Sequence, residues 1–307
     1  MLPVAMLAGI LLYVLYRNLP FLHPAGPVLV TAVGVLQPLL IFSMLFLSFA
    51  RISPSELRPH RWQLKLLCMQ CILFILLALA AIFIVPPGTS GRLFLECLMI
   101  CSICPTAAAA PVITYKLGGD MAGLVTYTVL INLATAVLVP LFVPLIHPVA
   151  GLSFLTAFSL ILAKVFPLLL GPCLAAWMVR YLFPRLHRRL VRMTGLSFYL
   201  WAVSLCLAIT MSVRALVHAH ASGAVIGLIA LSSALSCLVN FAFGKHFGHG
   251  AVSVTQSLGQ KNTVFAIWMG YSFFSPVSSA TGGLYSIWQN LFNSWQLEQK
   301  RKKEMNM

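Results

Sequence analysis

The chain is a succession of apolar runs separated by short basic connections, and that pattern constrains its fold more than any single motif. A helix needs about 20 predominantly apolar residues to cross the hydrocarbon core of a bilayer. On that rule the runs fall at 2–16, 27–50, 63–85, 92–116, 121–146, 152–180, 194–215, 220–243, 250–273 and 276–295. Ten such runs are not the pattern of a soluble domain. Only 8% of the residues are charged and mean hydropathy is +0.96, against about 25% charged in an ordinary globular protein. The fold class that follows is an all-α polytopic membrane protein with about ten transmembrane helices. The first run is short. It has no basic leading stretch and no small-residue cleavage site, so it reads as a first helix and not as a removable signal.

The basic residues give the expected orientation. Arg51, Arg58, Arg61 and Lys65 surround the connection from the second run to the third, and Lys116 ends the fourth. Arg180, Arg185, Arg188, Arg189 and Arg192 follow the sixth, Lys245 the eighth, and Lys300, Arg301, Lys302 and Lys303 the tenth. That is fifteen on one side, against Arg17, Arg92 and Arg214 on the other. Basic connections stay in the cytoplasm, so a multi-pass cell-membrane protein with both termini cytoplasmic is expected. The net charge of +15 is thereby accounted for. It marks orientation in a lipid bilayer, and no nucleic-acid partner is expected.

Two runs are interrupted. Gly259-Gln260-Lys261-Asn262-Thr263 lies inside the ninth, and Cys104-Pro105-Thr106, followed by Pro111, lies inside the fourth. Broken backbone at membrane depth is tolerated only where it is buried in protein or lines a cavity. Five helices per half would insert with opposite orientation, as in an inverted repeat. The fourth run then corresponds to the ninth, and the two breaks are mates. Lys164 in the sixth run and Lys261 in the ninth are intramembrane lysines, which default to functional roles. Glu96 lies four residues from Arg92, so it reads either as a local ion pair or as a substrate contact.

Other chemistries lack their residues. All eight cysteines lie within apolar runs, and Cys101-x-x-Cys104 is joined by no second Cys or His pair at ligand distance in sequence. Small buried hydrophobes are the expected role. The histidines lie mainly in connections or at run ends. His246-x-x-His249 is an isolated pair, and no His-Glu-x-x-His or paired aspartate falls in a run. No enzyme and no metal site are expected.

Three stretches resemble the bile acid:sodium symporter family. The first is Cys104-Pro105-Thr106-Ala107-Ala108-Ala109-Ala110-Pro111-Val112-Ile113-Thr114 with its Gly119-Asp120 ending. The second is Gly259 to Thr263. The third is Phe274-Ser275-Pro276 with Tyr285-Ser286-Ile287-Trp288-Gln289-Asn290. The resemblance implies a core domain and a panel domain, with the fourth and ninth helices unwound and crossing. In this chain the panel would be 1–50 and 151–216. The core would be 51–150 and 217–307, the latter ending in a basic cytoplasmic tail. It further implies secondary transport of an organic anion, with two coupled sodium ions.

The chain departs from that pattern where sodium ligands are implied, as a bacterial-type member with altered sites. At the first site the Ser-Asn pair aligns with Ala110 and Pro111, a serine with Leu124, and the glutamate with Ser257. Only Thr128 keeps its hydroxyl. At the second site Gln70 matches, Leu258 and Gln260 retain carbonyls, and Lys261 stands where a glutamine is implied. Lys261 then reads as a built-in cation replacing sodium, as a proton carrier, or as a filler that locks the crossing. It is expected to donate to orphan carbonyls at a half-helix end or to Gln70. The ion-coupling set is thus Gln70, Thr128, Ser257, Gln260 and Lys261. Thr106, Thr114, Asn132, Lys164, Asn262 and Thr263 are the expected substrate contacts. No cofactor is expected; Na+ is the one candidate ion, and the departures argue against it. The expected function is organic-anion transport by alternating access that is not strictly sodium-dependent. A sodium- or proton-coupled symporter and a membrane sensor with a transporter fold are the alternatives.

Overall fold

The computed structural model describes residues 2–193, 195–247 and 251–305; His249 lies outside them. These residues form thirteen α-helices: α1 (Leu2–Asn18), α2 (Gly26–Phe49), α3 (Arg61–Phe83), α4 (Ser90–Ile103), α5 (Ala110–Lys116), α6 (Met121–Ile146), α7 (Phe154–Leu182), α8 (Pro184–Arg192), α9 (Leu196–His218), α10 (Gly223–Phe247), α11 (Val252–Gly259), α12 (Thr263–Phe273) and α13 (Ala280–Met305). Six segments are long and apolar enough to cross a membrane: Pro20–Phe49, Arg61–Phe83, Met121–Ile146, Phe154–Leu182, Leu196–His218 and Gly223–Phe247. The protein is an all-helical, polytopic membrane protein.

Its polarity is inverted relative to a soluble bundle. On α3 the amides of Gln63 and Gln70 are buried, while Leu64, Ile72 and Leu76 are exposed. On α2 Gln37 is buried and Val35 and Leu39 are exposed. Lipid solvates aliphatic side chains, whereas polar groups must find partners inside the protein. The core nevertheless closes around apolar contacts. Ile41, Leu45 and Phe49 of α2 share one cluster with Val165 and Leu169 of α7, Leu205 of α9 and the run Val264–Met269 of α12.

Both sequence breaks are breaks in the structure. Proline disfavours the helical conformation in the residue before it. Cys104, which precedes Pro105, turns out of the helix at φ −54°, ψ 130° and ends α4. In the other half, Gln260 is extended (φ −88°, ψ 106°), and Asn262 opens α12 by accepting a hydrogen bond from the Phe265 N–H at 3.2 Å. Side-chain caps of this kind satisfy otherwise orphaned N–H groups. The second break is held from behind by close approach: a Cβ on Gly282 of α13 would sit 2.9 Å from the Thr263 carbonyl oxygen.

Two elements differ from the sequence expectation. The basic connection after the sixth run contains a helix, α8. The tail expected after residue 295 continues α13 to Met305. Pairing at i,i+4 supports that extension, with Lys302–Glu298 at 2.8 Å and Lys300–Glu304 at 3.5 Å.

Candidate functional site at the crossing of the broken helices

The two breaks meet. Thr106 and Lys261 form an antiparallel bridge, the Asn262 N–H donates to the Pro105 carbonyl at 2.8 Å, and the Ala107 N–H donates to the Gln260 carbonyl at 3.0 Å. Each extended segment thus satisfies the backbone of the other, which a non-helical segment at membrane depth requires.

Five further carbonyls at and just past the helix ends accept from side chains. At the end of α4, Ser102 O accepts from Lys261 Nζ at 3.4 Å, Ile103 O from Thr135 Oγ1 at 2.9 Å, and Cys104 O from Gln70 Nε2 at 3.4 Å. At the end of α11, Ser257 O accepts from Thr106 Oγ1 at 2.9 Å and Gly259 O from Tyr285 Oη at 2.9 Å. The Cys104 thiol donates to Asn262 O at 3.0 Å. The C-terminal end of a helix carries partial negative charge, so the Lys261 ammonium rests on the negative end of α4. It contacts the opposite broken helix and not its own, and it does not reach Gln70. The Gln70 amide is held instead by Tyr127 Oη, which donates to its Oε1 at 2.6 Å.

A cavity of about 310 Å³ opens beside the crossing. Its floor is Ala107–Ala109 and Gln260–Val264. Its walls come from Met44 and Ser48 of α2, Phe198 and Trp201 of α9, and Gln289, Asn290 and Asn293 of α13, with Arg51 among the lining residues. Among the described residues, nothing accepts from the N–H groups of Ala108 and Ala109. The first N–H groups of α12 also lie at the cavity and have no intrahelical partner. Unpaired N–H groups and helix N-termini of this kind suit an anion.

The cavity brings together Gln260, Lys261, Asn262 and Thr263 from the expected site. The Gln260 amide donates to Gln256. Thr106, Ser257 and Gln70 belong to the hydrogen-bonded crossing beneath. Four expected residues lie elsewhere. Thr114 is buried in α5 with an unpaired hydroxyl. Thr128 donates to the Leu124 carbonyl of its own helix at 2.9 Å, and Asn132 to the Leu169 carbonyl of α7 at 3.1 Å. Lys164 is exposed on α7, outside the residues that line the cavity. Sequence reasoning missed Arg51, Phe198, Trp201 and Asn293. The available signal was the polar stripe Ser286, Gln289, Asn290, Asn293 at helical spacing in an otherwise apolar run.

Residues 38–219 match the profile of the Sodium Bile acid symporter family. The chain belongs to that family. The match runs from within α2 to the end of α9, so it contains the first break and stops short of Lys261. Comparison with curated proteins found no match. The symporter family is one of transporters, and with the apolar helices it makes the chain a multi-pass membrane transport protein for an organic substrate.

This symporter-family chain has a second cavity, of about 500 Å³, beside Glu96, His147 and the turn at Ser275. Glu96 is almost fully buried. Its Oε1 lies 3.1 Å from His147 Nε2 and 3.9 Å from Arg92 Nε, and its Oε2 accepts from the Ser275 N–H at 3.3 Å. Arg92 in turn donates to Ile146 O at 2.8 Å. The carboxylate therefore ties α4 to the end of α6 and to the turn between α12 and α13. The geometry favours the internal ion pair over a free substrate contact.

Proposed function

We propose that the protein is a secondary transporter that carries an organic anion by alternating access and does not strictly require sodium. The observation that carries this reading is the 310 Å³ cavity floored by the crossing, with Lys261 occupying the space between the two broken helices. The unpaired N–H groups of Ala108, Ala109 and the start of α12 would receive the anion. Arg51 would add a positive charge among the lining residues, and Phe198 and Trp201 an apolar wall. Lys261 would act as a resident cation where the family uses sodium, with its charge offset by the Ser102 carbonyl at 3.4 Å.

The proposed machine has ten membrane helices in two inverted five-helix repeats, with α4–α5 and α11–α12 as the broken mates. Residues 1–50 and 151–216 would form the panel, and residues 51–150 and 217–307 the core. In support of the division, α9 packs on α1 and α2, α2 packs on α7, and α10 packs on α4, α11 and α13; α7 also packs along α6, across the proposed boundary. The cavity lies between α2 and α9 on one side and the crossing on the other, so movement of the panel would expose it to alternate faces. Both termini and the basic connections would be cytoplasmic.

A second reading makes Lys261 a proton carrier. In its favour, a single long carbonyl contact leaves most of the donor capacity of the ammonium uncommitted. The test is uptake of organic anions into proteoliposomes with sodium, with a proton gradient, or with neither. Uptake without either gradient supports the resident-cation reading. Uptake only with a proton gradient selects the second, and strict dependence on sodium overturns both.

A further inference from the structure

We propose that α8 is a binding site for anionic phospholipid headgroups. The helix reads Pro-Arg-Leu-His-Arg-Arg-Leu-Val-Arg over Pro184–Arg192. At 3.6 residues per turn, Arg185, Arg188, Arg189 and Arg192 fall within an arc of about 100°, and His187, Leu190 and Val191 fall on the opposite side. The structure agrees with the wheel. All four arginines are exposed, whereas His187, Leu190 and Val191 are half-buried. Val191 packs on the main core cluster, and His187 Nε2 hydrogen-bonds the Ala50 carbonyl at 2.7 Å. One face of α8 is therefore fixed to the protein, and the other presents four guanidinium groups outward.

Among the described residues, these charges have no counter-ion. The chain has five carboxylate side chains. Glu96 is buried in its own ion pair, and Glu298 and Glu304 pair with lysines of α13. Glu56 accepts from the Ser53 N–H at 3.3 Å, and Asp120 lies at the start of α6. Among the described residues, no ion pair involves an arginine of α8. The counter-charge must come from outside.

The surroundings identify its source. Tyr181, Leu182 and Phe183, directly before α8, are 56–65% exposed, and Leu186 and Met193 are about half exposed. Exposed aromatic and aliphatic side chains beside a one-sided row of arginines suit the boundary between acyl chains and headgroups. A phosphodiester accepts the paired N–H donors of a guanidinium. The occupant is thus a lipid of the leaflet that α8 touches, and the proposal rests on the transport reading only for the name of that leaflet. Through the His187–Ala50 bond the helix is anchored one residue from Arg51, which lines the cavity.

The test uses the full-length protein in mixed micelles of phosphatidylglycerol and phosphatidylcholine, with retained lipid counted by native mass spectrometry. Each basic side chain at an anionic surface contributes on the order of a fivefold preference. The variant R185Q/R188Q/R189Q/R192Q is therefore expected to lose phosphatidylglycerol preference by tenfold or more. The variant K300Q/R301Q/K302Q/K303Q removes the same charge from the end of α13 and should stay within threefold of the parent. The double variant R188Q/R189Q, the milder change, should fall between them. Equal retention by the α8 variant and the parent overturns the proposal, as does an equal loss in the α13 variant. Because lipid retention is measured without transport, its failure leaves the transport reading standing, and the reverse also holds.

Discussion

Lys261 Nζ lies 3.4 Å from the carbonyl oxygen of Ser102, so a cation carried at the break of one helix rests on the end of the other. The contact spans 159 residues of sequence. It joins two half-helices whose ends would otherwise leave unmet dipoles inside the membrane. Replacing Lys261 with methionine keeps an unbranched side chain one atom shorter and removes the charge. Transport should fall at least tenfold, because the crossing then lacks its cation. Thermal stability in detergent should change little, since relief from burying an ammonium offsets the loss of the one long hydrogen bond to the Ser102 carbonyl. An unchanged transport rate would show that Lys261 only fills space.

The crossing also depends on Tyr285. Its hydroxyl donates to Gly259 O at 2.9 Å and accepts from Asn240 Nδ2 at 3.1 Å. Tyr285→Phe strands a buried carbonyl and a buried amide. Each unmet group costs about 1–3 kcal/mol. The expected result is a clear drop in melting temperature with little change in cavity shape. Gly282→Ala should also destabilise, because its Cβ would press on the backbone of α12 at Thr263 and Ile267. Overpacking of this kind costs about 1–3 kcal/mol. Differential scanning fluorimetry of the two variants checks both.

Some of this was legible in the sequence and some was not, for physical reasons. The all-helical membrane class follows from run length and charge spacing, because lipid thickness fixes the length of a spanning helix. The breaks were visible because Pro105 and the polar stretch Gly259–Thr263 contradict their surroundings. Side-chain direction was less accessible. Lys164 is central in its run, yet it is exposed on α7; the face a helix turns inward is set by its neighbours. Arg51 looked like one more orientation charge, and only the approach of α2 to α9 brings it to the cavity. The nine-residue α8, with four arginines, is too short for its periodicity to stand out.

At the other cavity, Arg92 is only 5% exposed and depends on Glu96 for its counter-charge. Removing one partner of a buried ion pair costs about 3–5 kcal/mol, whereas removing both costs far less. Glu96→Leu should therefore lower the melting temperature strongly. Arg92→Met/Glu96→Leu should recover a good part of the loss. Additive losses would show that the two residues act independently, with His147 and Ser275 alone supporting the carboxylate.

Arg51 is the residue on which substrate charge should register most directly. It sits just past the end of α2, part-buried, and its guanidinium donates to Ser197 Oγ at 3.4 Å across to α9. That weak neutral contact leaves most of its five donors available at the cavity. A charge-assisted hydrogen bond contributes about 1.5–3 kcal/mol, so Arg51→Gln should raise the KM for an anionic substrate by roughly tenfold to a hundredfold. Arg51→Lys should recover only part of this, because an ammonium restores the charge without the planar fork. Orientation in the bilayer should not change, since Arg58, Arg61 and Lys65 remain in the same connection. Concentration-dependent uptake into proteoliposomes separates the outcomes. A KM that rises for anions but not for a neutral analogue assigns Arg51 to substrate charge. An unchanged KM for both returns it to the role its sequence first suggested, a charge that orients the chain.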